Sequence, residues 1–163
     1  MSKSLQQIIQ GCQGQASLDL RKQIMTASER SIILYFFRRG FSPRCRLQAQ
    51  DFCSQHDNFL SLNTQIIGIS RESAQQQLDF SRTMKITFPL VSDEEDELCH
   101  AFGLLHSSQL GQKQILKLKP STFLFSPTGK LVKFWHDCQE PGMVQQVLNQ
   151  CQAQWNLEQR SAS

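Results

Sequence analysis

A short apolar strand followed at once by a helix start is the feature of this sequence that most constrains its fold. Residues 31–37, SIILYFF, are β-branched and aromatic without polar alternation, which is typical of a strand buried on both faces. After a turn at 38–41, Ser42-Pro43 has the chemistry of a helix start, and apolar residues at helical spacing carry that helix towards Leu60. The run QIIGIS at 65–70 predicts a second buried strand. Such a β-α-β unit favours parallel pairing through a right-handed crossover and predicts an α/β sheet.

Further elements follow this unit along the chain. Ser73 predicts the start of a helix, and the apolar run FPLV at 88–91 predicts a short strand. Ser92 and the three acidic residues after it match a capping box. They predict a third helix that starts there and ends near Gly103.

The second half of the chain predicts an antiparallel hairpin and a closing helix. The runs STFLF at 121–125 and LVKFW at 131–135 flank the turn sequence SPTG. A helix is expected over about 143–155, and two N-terminal helical segments are expected around 5–9 and 18–25. A parallel unit joined to an antiparallel hairpin implies a mixed sheet with helices on both faces.

Length and composition fit one ordinary globular domain. The chain has 163 residues, 39% of them hydrophobic, and a formal net charge of only +3, too small to imply a nucleic-acid or membrane partner. We expect a single domain over 1–163 with an N-terminal helical extension at about 1–28. Because the N-terminus has no apolar signal region and no run approaches the roughly 18 apolar residues of a membrane span, a cytoplasmic protein is expected.

The cysteines are spread along the whole chain, with neither a CxxC pair nor the His spacing of a zinc site. A structural metal is therefore not expected. In a reducing compartment most cysteines are buried small hydrophobes, and a catalytic one is the exception. The six are Cys12, Cys45, Cys53, Cys99, Cys138 and Cys151.

Cys45 differs from the others because it lies at a helix start directly after a buried strand. Unpaired backbone N–H groups and the helix dipole favour an anion there, and the Ser42 hydroxyl could stabilise a thiolate. We therefore expect Cys45 to be a reactive nucleophile; the alternative is a small residue packed under the strand-helix corner. Nearby arginines add positive charge: Arg38, Arg39, Arg44 and Arg46.

At these residues the sequence resembles the peroxiredoxins of the AhpC/TSA superfamily, in particular the bacterioferritin-comigratory-protein or Q-type branch. SIILYFF followed by SPRC resembles that branch's strand, its Thr-Pro-Gly-Cys turn and its peroxidatic cysteine. QIIGISRES resembles the next strand, ITFPLVSDEEDELCHAFGL the Phe-Pro-Leu segment, and STFLFSPTGKLVKFW the hairpin. The resemblance runs from residue 31 to about residue 148 and implies a thioredoxin-like α/β fold.

The resemblance implies a thiol-dependent peroxidase that reduces hydrogen peroxide and organic hydroperoxides and needs no metal or prosthetic group. Cys45 would attack the peroxide and become a sulfenic acid, with Ser42 hydrogen-bonded to the peroxide or the thiolate. A second thiol, and then a thioredoxin-type or low-molecular-weight thiol reductant, would restore the thiol. A monomer or homodimer is expected.

Three positions depart from the family pattern. Arg38 stands where the family has a proline that shields the cysteine. Lys119-Pro120 stands before Ser-Thr-Phe where the family has an arginine, so Lys119 or a local arginine such as Arg44 would supply the positive charge. Pro120 instead resembles the usually cis proline beside the active site of thioredoxin-fold reductases. The Q-type resolving position, five residues after the peroxidatic cysteine, is Gln50.

Cys53 is the nearest candidate for the resolving thiol. Along an intact helix it lies about 12 Å from Cys45, whereas a disulfide needs Cα atoms within about 7 Å, so direct bridging requires the helix to unwind. Cys138 and an external thiol are the alternatives. Two other functions fit the same fold: a peroxidase-inactive redox-sensing or binding module, and a thiol-disulfide oxidoreductase, although Ser42 stands where the first cysteine of a CxxC would lie.

Overall fold

The computed structural model describes residues 3–38, 42–136 and 138–162. The helices run over α1 Leu5–Ile9, α2 Gln15–Thr26, α3 Pro43–Ser54, α4 His56–Ser61, α5 Ala74–Met84, α6 Glu97–Ala101 and α7 Met143–Ala162. The strands run over β1 Ser31–Phe36, β2 Thr64–Ser70, β3 Leu90–Ser92, β4 Leu105–Leu110, β5 Lys113–Leu118, β6 Ser121–Phe125 and β7 Leu131–Trp135.

Five strands of the described residues form a mixed central sheet in the order β3-β2-β1-β6-β7. β1 lies at its centre, parallel to β2 with Ile33 opposite Ile66, and antiparallel to β6 with Leu34 opposite Phe123. Every residue of β1 is buried, as the apolar run predicts for a strand covered on both faces. β6 and β7 pair antiparallel, so the predicted parallel unit and the predicted antiparallel hairpin are both confirmed.

Alternate residues of β1 point into two separate apolar cores, because successive side chains of a strand face opposite sides of the sheet. Leu34 and Phe36 pack with residues of α1, α2 and α6, including Leu20 and Leu98. The opposite core contains Ile33 and Tyr35 of β1 and Phe37, the residue after β1. Residues of α3, α5 and α7 belong to the same core. Helices therefore cover both faces, which confirms the thioredoxin-like α/β architecture.

The predicted helix start at Ser92 is wrong. Ser92 ends β3, and α6 begins only at Glu97. The reason is that the buried Asp93 side chain turns inwards and accepts hydrogen bonds from the N–H groups of Leu98 and Cys99, at 2.9 and 2.8 Å. The acidic residues that follow Ser92 therefore form the loop before α6. The side chain of Asp93, within this loop, caps the start of α6.

Other helix ends also differ from the predictions. The helix predicted to run from Pro43 towards Leu60 is interrupted at Gln55, whose backbone (φ −101°, ψ 2°) leaves helical geometry between α3 and α4. The closing helix extends to Ala162 rather than ending near 155. The Lys119–Pro120 bond is trans, since the described part of the chain contains no cis peptide bond.

The hairpin of β4 and β5 was absent from the predicted elements. It forms a two-stranded sheet of its own, turned at Gly111, whose φ of +64° suits a residue without a side chain. Its alternation of polar and apolar residues is weak, so the pattern gives little signal. Arg71 Nη1 donates to the carbonyl of Leu116 at 2.7 Å and attaches the hairpin to the end of β2.

Candidate active site

Cys45 is the third residue of α3, the first helix after β1 in the chain. Ser42 occupies the predicted N-cap position with an extended backbone, and Pro43 fixes the first turn, although the Ser42 side chain makes no capping hydrogen bond. The Cys45 side chain is fully buried and belongs to the core on the α3 and α7 side of β1, beside Tyr35 and Phe37. The backbone thus holds the sulfur at the positive end of a 12-residue helix.

The Cys45 sulfur also accepts a side-chain hydrogen bond that sequence reasoning missed. Gln139 Nε2 donates to Cys45 Sγ at 3.1 Å, and the same nitrogen lies 3.3 Å from Gln48 Oε1. Gln139 lies in the loop between β7 and α7, 94 positions from Cys45 along the chain. No pattern in the sequence connects the two residues.

An open cleft of about 1220 Å³ borders this helix start. Ser42, Arg44 and Gln139 line it together with Arg38 and residues of β5. Arg38 Nε donates to the carbonyl of Leu118 at 3.0 Å, so its side chain joins the end of β1 to β5. The described residues that line the cleft do not include Lys119, whereas Arg44 lies both here and beside a smaller cavity of about 360 Å³. Arg39 lies outside the described residues.

Comparison with known proteins places this geometry in a family. The AhpC/TSA family model matches residues 12–134. The chain belongs to the AhpC/TSA family. Peroxiredoxin Bcp of Xanthomonas campestris is 32% identical over 117 residues, which are 72% of this chain and 73% of that protein. Peroxiredoxin Bcp of Bacillus subtilis is 31% identical and covers 72% of this chain and 74% of its own.

Solved structures agree with the sequence relatives. A structure of Xanthomonas campestris peroxiredoxin Q superimposes with a TM-score of 0.76 at 30% identity, covering 80% of this chain and 83% of that one. The protein is therefore a peroxiredoxin of the bacterioferritin-comigratory-protein or Q-type branch, and its activity is that of a thiol peroxidase. Its substrates are accordingly a peroxide and a reductant. Within the described residues, none of the helices is both long and apolar enough to span a bilayer.

The buried Tyr35 hydroxyl belongs to a residue of the same apolar core as Cys45. It has no hydrogen-bond partner among the described residues. Burial raises the pKa of Tyr35 well above its ordinary value of 10, and negative charge on Cys45 or Cys53 would raise it further. The phenol therefore stays protonated, and a negative charge on either cysteine stabilises this protonated form.

All six cysteines of this peroxiredoxin are free thiols, and the pKa values of three of them are raised. Burial raises the pKa of Cys151 to about 12, despite a hydrogen bond with Thr64. Burial and the Asp93 carboxylate raise the pKa of Cys99 far above the ordinary range. Both stay protonated at neutral pH and serve as core residues. Burial, followed by the Glu97 charge, also raises the pKa of Cys12.

Cys53 and Cys138 are half-buried and pack against the same core as Cys45. Cys53 lies in α3 itself, which is continuous from Pro43 to Ser54, so about 12 Å separate its Cα from that of Cys45. Cys138 directly precedes Gln139, and its N–H donates to the carbonyl of Pro120 at 2.8 Å. The structure therefore brings the loop of Cys138 close to Cys45, which the sequence could not establish.

One group of potential metal ligands comes together among the described residues: Asp93, Asp96 and Cys99. Both oxygens of Asp93 accept hydrogen bonds from backbone N–H groups. Asp96 forms a bidentate ion pair with Arg71, with N···O distances of 2.6 and 2.9 Å. The Asp93 oxygens thus hold the start of α6 and the Asp96 oxygens hold Arg71, so we assign both carboxylates a structural role.

Proposed function

We propose that this peroxiredoxin reduces hydrogen peroxide and organic hydroperoxides with Cys45 as the peroxidatic cysteine. The observation that carries the proposal is the position of the Cys45 sulfur, held in the first turn of α3 and bonded by an amide N–H at the border of the cleft. The bacterioferritin comigratory protein of Xanthomonas campestris, 30% identical, has been described for its alkyl peroxide reduction activity. Apolar residues of β5 in the cleft suit the alkyl group of such a substrate.

The first step of the proposed reaction needs, besides the peroxide, only a thiolate and a proton source. The Cys45 thiolate attacks the distal peroxide oxygen, so that an S–O bond forms while the O–O bond breaks. Sulfur gives up two electrons and becomes a sulfenic acid, and the departing alkoxide or hydroxide takes a proton to yield an alcohol or water. A second thiol then displaces water from the sulfenic acid to form a disulfide, which the reductant cleaves.

Two side chains beside Cys45 are assigned to the peroxide. Ser42 lines the cleft at the start of α3, and we assign its hydroxyl to hydrogen-bond the peroxide oxygens. Arg44 lines the same cleft next in sequence to Cys45 and supplies positive charge to the developing oxyanion. We prefer Arg44 to Lys119 for this charge because Arg44 lines the cleft, whereas Lys119 is not among its described lining residues.

We propose that an external thiol, from a thioredoxin-type protein or a small thiol, resolves the sulfenic acid. The continuous α3 supports this assignment, because Cys53 reaches Cys45 only if the helix unwinds. Six free cysteines and a cycle that consumes reduced thiols both suit a cytoplasmic location.

Peroxide-dependent consumption of NADPH, coupled through thioredoxin and its reductase, tests the proposed function. Wild-type protein should turn over hydrogen peroxide and an alkyl hydroperoxide, whereas Cys45→Ser should be inactive. Cys12→Ser, on the other face of the sheet, is the matched control and should retain activity. Turnover by Cys45→Ser, or none by wild type with either thioredoxin or dithiothreitol, would refute the proposal.

Intact mass after addition of peroxide tests the resolving step. The external-thiol route predicts a Cys45 sulfenic acid that dimedone traps equally in wild type, Cys53→Ser and Cys138→Ser. An intramolecular disulfide in wild type that disappears in one of these variants would instead identify that cysteine as the resolving thiol.

A further inference from the structure

We propose that Gln139 is a catalytic residue of this peroxiredoxin, whose side-chain amide donates the hydrogen bond that holds the Cys45 thiolate. This inference rests on the proposed function, in which Cys45 is the peroxidatic cysteine. It concerns the reacting atom directly, because Gln139 Nε2 lies 3.1 Å from Cys45 Sγ.

The amide is fixed in its donating orientation by a second, buried glutamine. Gln139 Nε2 lies 3.3 Å from Gln48 Oε1, so one N–H of the amide is directed to the sulfur and the other to an oxygen. Gln48 is only 5% exposed, and its own amide nitrogen donates to Met143 Sδ at 3.5 Å. Met143 of α7 thus holds Gln48 of α3, and Gln48 in turn orients the amide of Gln139. Gln48 is therefore a positioning residue.

The loop that carries Gln139 is held at both ends. The N–H of Cys138 donates to the carbonyl of Pro120 at 2.8 Å, and the N–H of Met143 donates to the carbonyl of Glu140 at 3.1 Å. The Met143 side chain is buried in the same core as Cys45. Position 120, just before β6, is a proline and offers no side-chain donor. The donor to Cys45 comes from the neighbouring loop, which the backbone of Pro120 helps to hold.

A neutral amide donor has a defined chemical effect at this site. A hydrogen bond to the charged form of an acid favours that form, so the amide increases the share of Cys45 present as the nucleophilic thiolate. Gln139 also lines the cleft, while Cys45 itself is fully buried. The amide therefore stands between the sulfur and the approaching peroxide, where it can direct the thiolate as the S–O bond forms.

Gln139→Met tests the inference, because Met has nearly the size of Gln but no N–H donor. Thiolate absorbance in the ultraviolet, corrected with Cys45→Ser, should show that Cys45 ionises only at higher pH in this variant. The rate of Cys45 oxidation by peroxide at neutral pH should fall by about tenfold or more, the lower end of what a hydrogen bond to a charged group contributes. Gln139→Glu should reduce the rate further, since its carboxylate repels a thiolate.

Gln146→Met, on the exposed surface of α7, is the matched control and should behave as wild type. Gln48→Met should shift ionisation and rate in the same direction but less, because the amide of Gln139 remains while its orienting partner is lost. Unchanged ionisation and rate in Gln139→Met would overturn the inference, and so would a faster reaction, which would show that Gln139 merely covers the sulfur.

The two proposals fail in different ways. Wild-type Cys45 that reacts with peroxide no faster than free cysteine contradicts the proposed function. The ionisation measurement still decides the Gln139 bond in that case, since it needs no peroxide.

Discussion

Removal of the Asp93 carboxylate should destabilise the fold by several kcal/mol although the residue touches no substrate. Asp93 is fully buried, and its two oxygens accept the N–H groups of Leu98 and Cys99 at 2.9 and 2.8 Å. Each hydrogen bond to a charged group contributes about 1.5–3 kcal/mol, and Asp93→Ala leaves both donors buried without an acceptor. The expected loss in the free energy of unfolding is about 3–5 kcal/mol.

Asp93→Asn is a milder change at the same position. Its amide keeps one acceptor oxygen and turns an N–H₂ group towards the other donor. The expected loss is half as large, about 1.5–2.5 kcal/mol. Urea unfolding followed by far-ultraviolet circular dichroism measures both values, with the exposed Glu94→Ala as a control that should change stability by less than about 0.5 kcal/mol. A loss below about 1 kcal/mol for Asp93→Ala would show that the two hydrogen bonds to Asp93 do not stabilise the fold as we infer, because two unsatisfied buried donors cannot cost so little.

Three further predictions concern stability and local structure. Burial alone would raise the pKa of Glu97, but hydrogen bonds from the backbone of Gly14, Ser17 and neighbours outweigh it and lower the pKa below its ordinary 4.5. Glu97→Gln should therefore reduce the unfolding free energy above pH 4.5, and this difference should vanish as the pH falls through the lowered pKa; a loss that persists at the lowest pH contradicts it. Tyr35→Phe should stabilise the protein by about 1 kcal/mol in urea unfolding, because it removes a buried hydroxyl that has no partner among the described residues, and a destabilisation would reveal a partner. Arg71→Lys should increase amide hydrogen exchange in residues 105–118, since Lys lacks the planar fork that joins Asp96 and the Leu116 carbonyl, and unchanged exchange would show that other contacts hold the hairpin.

The sequence predicted those parts of the fold that depend on local chemistry. The apolar run of β1 and the Ser-Pro start of α3 placed Cys45 at a helix N-terminus, and the structure confirms both elements. The Ser73 helix start is likewise confirmed, with a reciprocal capping box to Gln76. Such signals lie within a few residues of one another, so a single sequence can show them.

The features that escaped prediction depend on contacts between distant segments. The bond from Gln139 to Cys45 joins residues 94 positions apart, and an isolated Gln in a loop carries no signal for its partner. In sequence, Asp93 matches part of a local capping box, whereas in the structure its buried carboxylate reaches across a loop to α6. The β4–β5 hairpin was missed because its strands are polar and exposed, and because its attachment through Arg71 is set by tertiary packing.

The rate of Cys45 oxidation in a single turnover decides whether Cys45 is the peroxidatic cysteine of this protein. Reduced protein is mixed with peroxide in a stopped-flow instrument, and oxidation is followed by fluorescence of Trp135, which packs in the same core as Cys45, and by the mass of quenched samples. We expect a second-order rate far above that of free cysteine, one added oxygen at Cys45, and no fast phase in Cys45→Ser. A Cys45 that reacts no faster than free cysteine, or a fast phase that survives in Cys45→Ser, would contradict it.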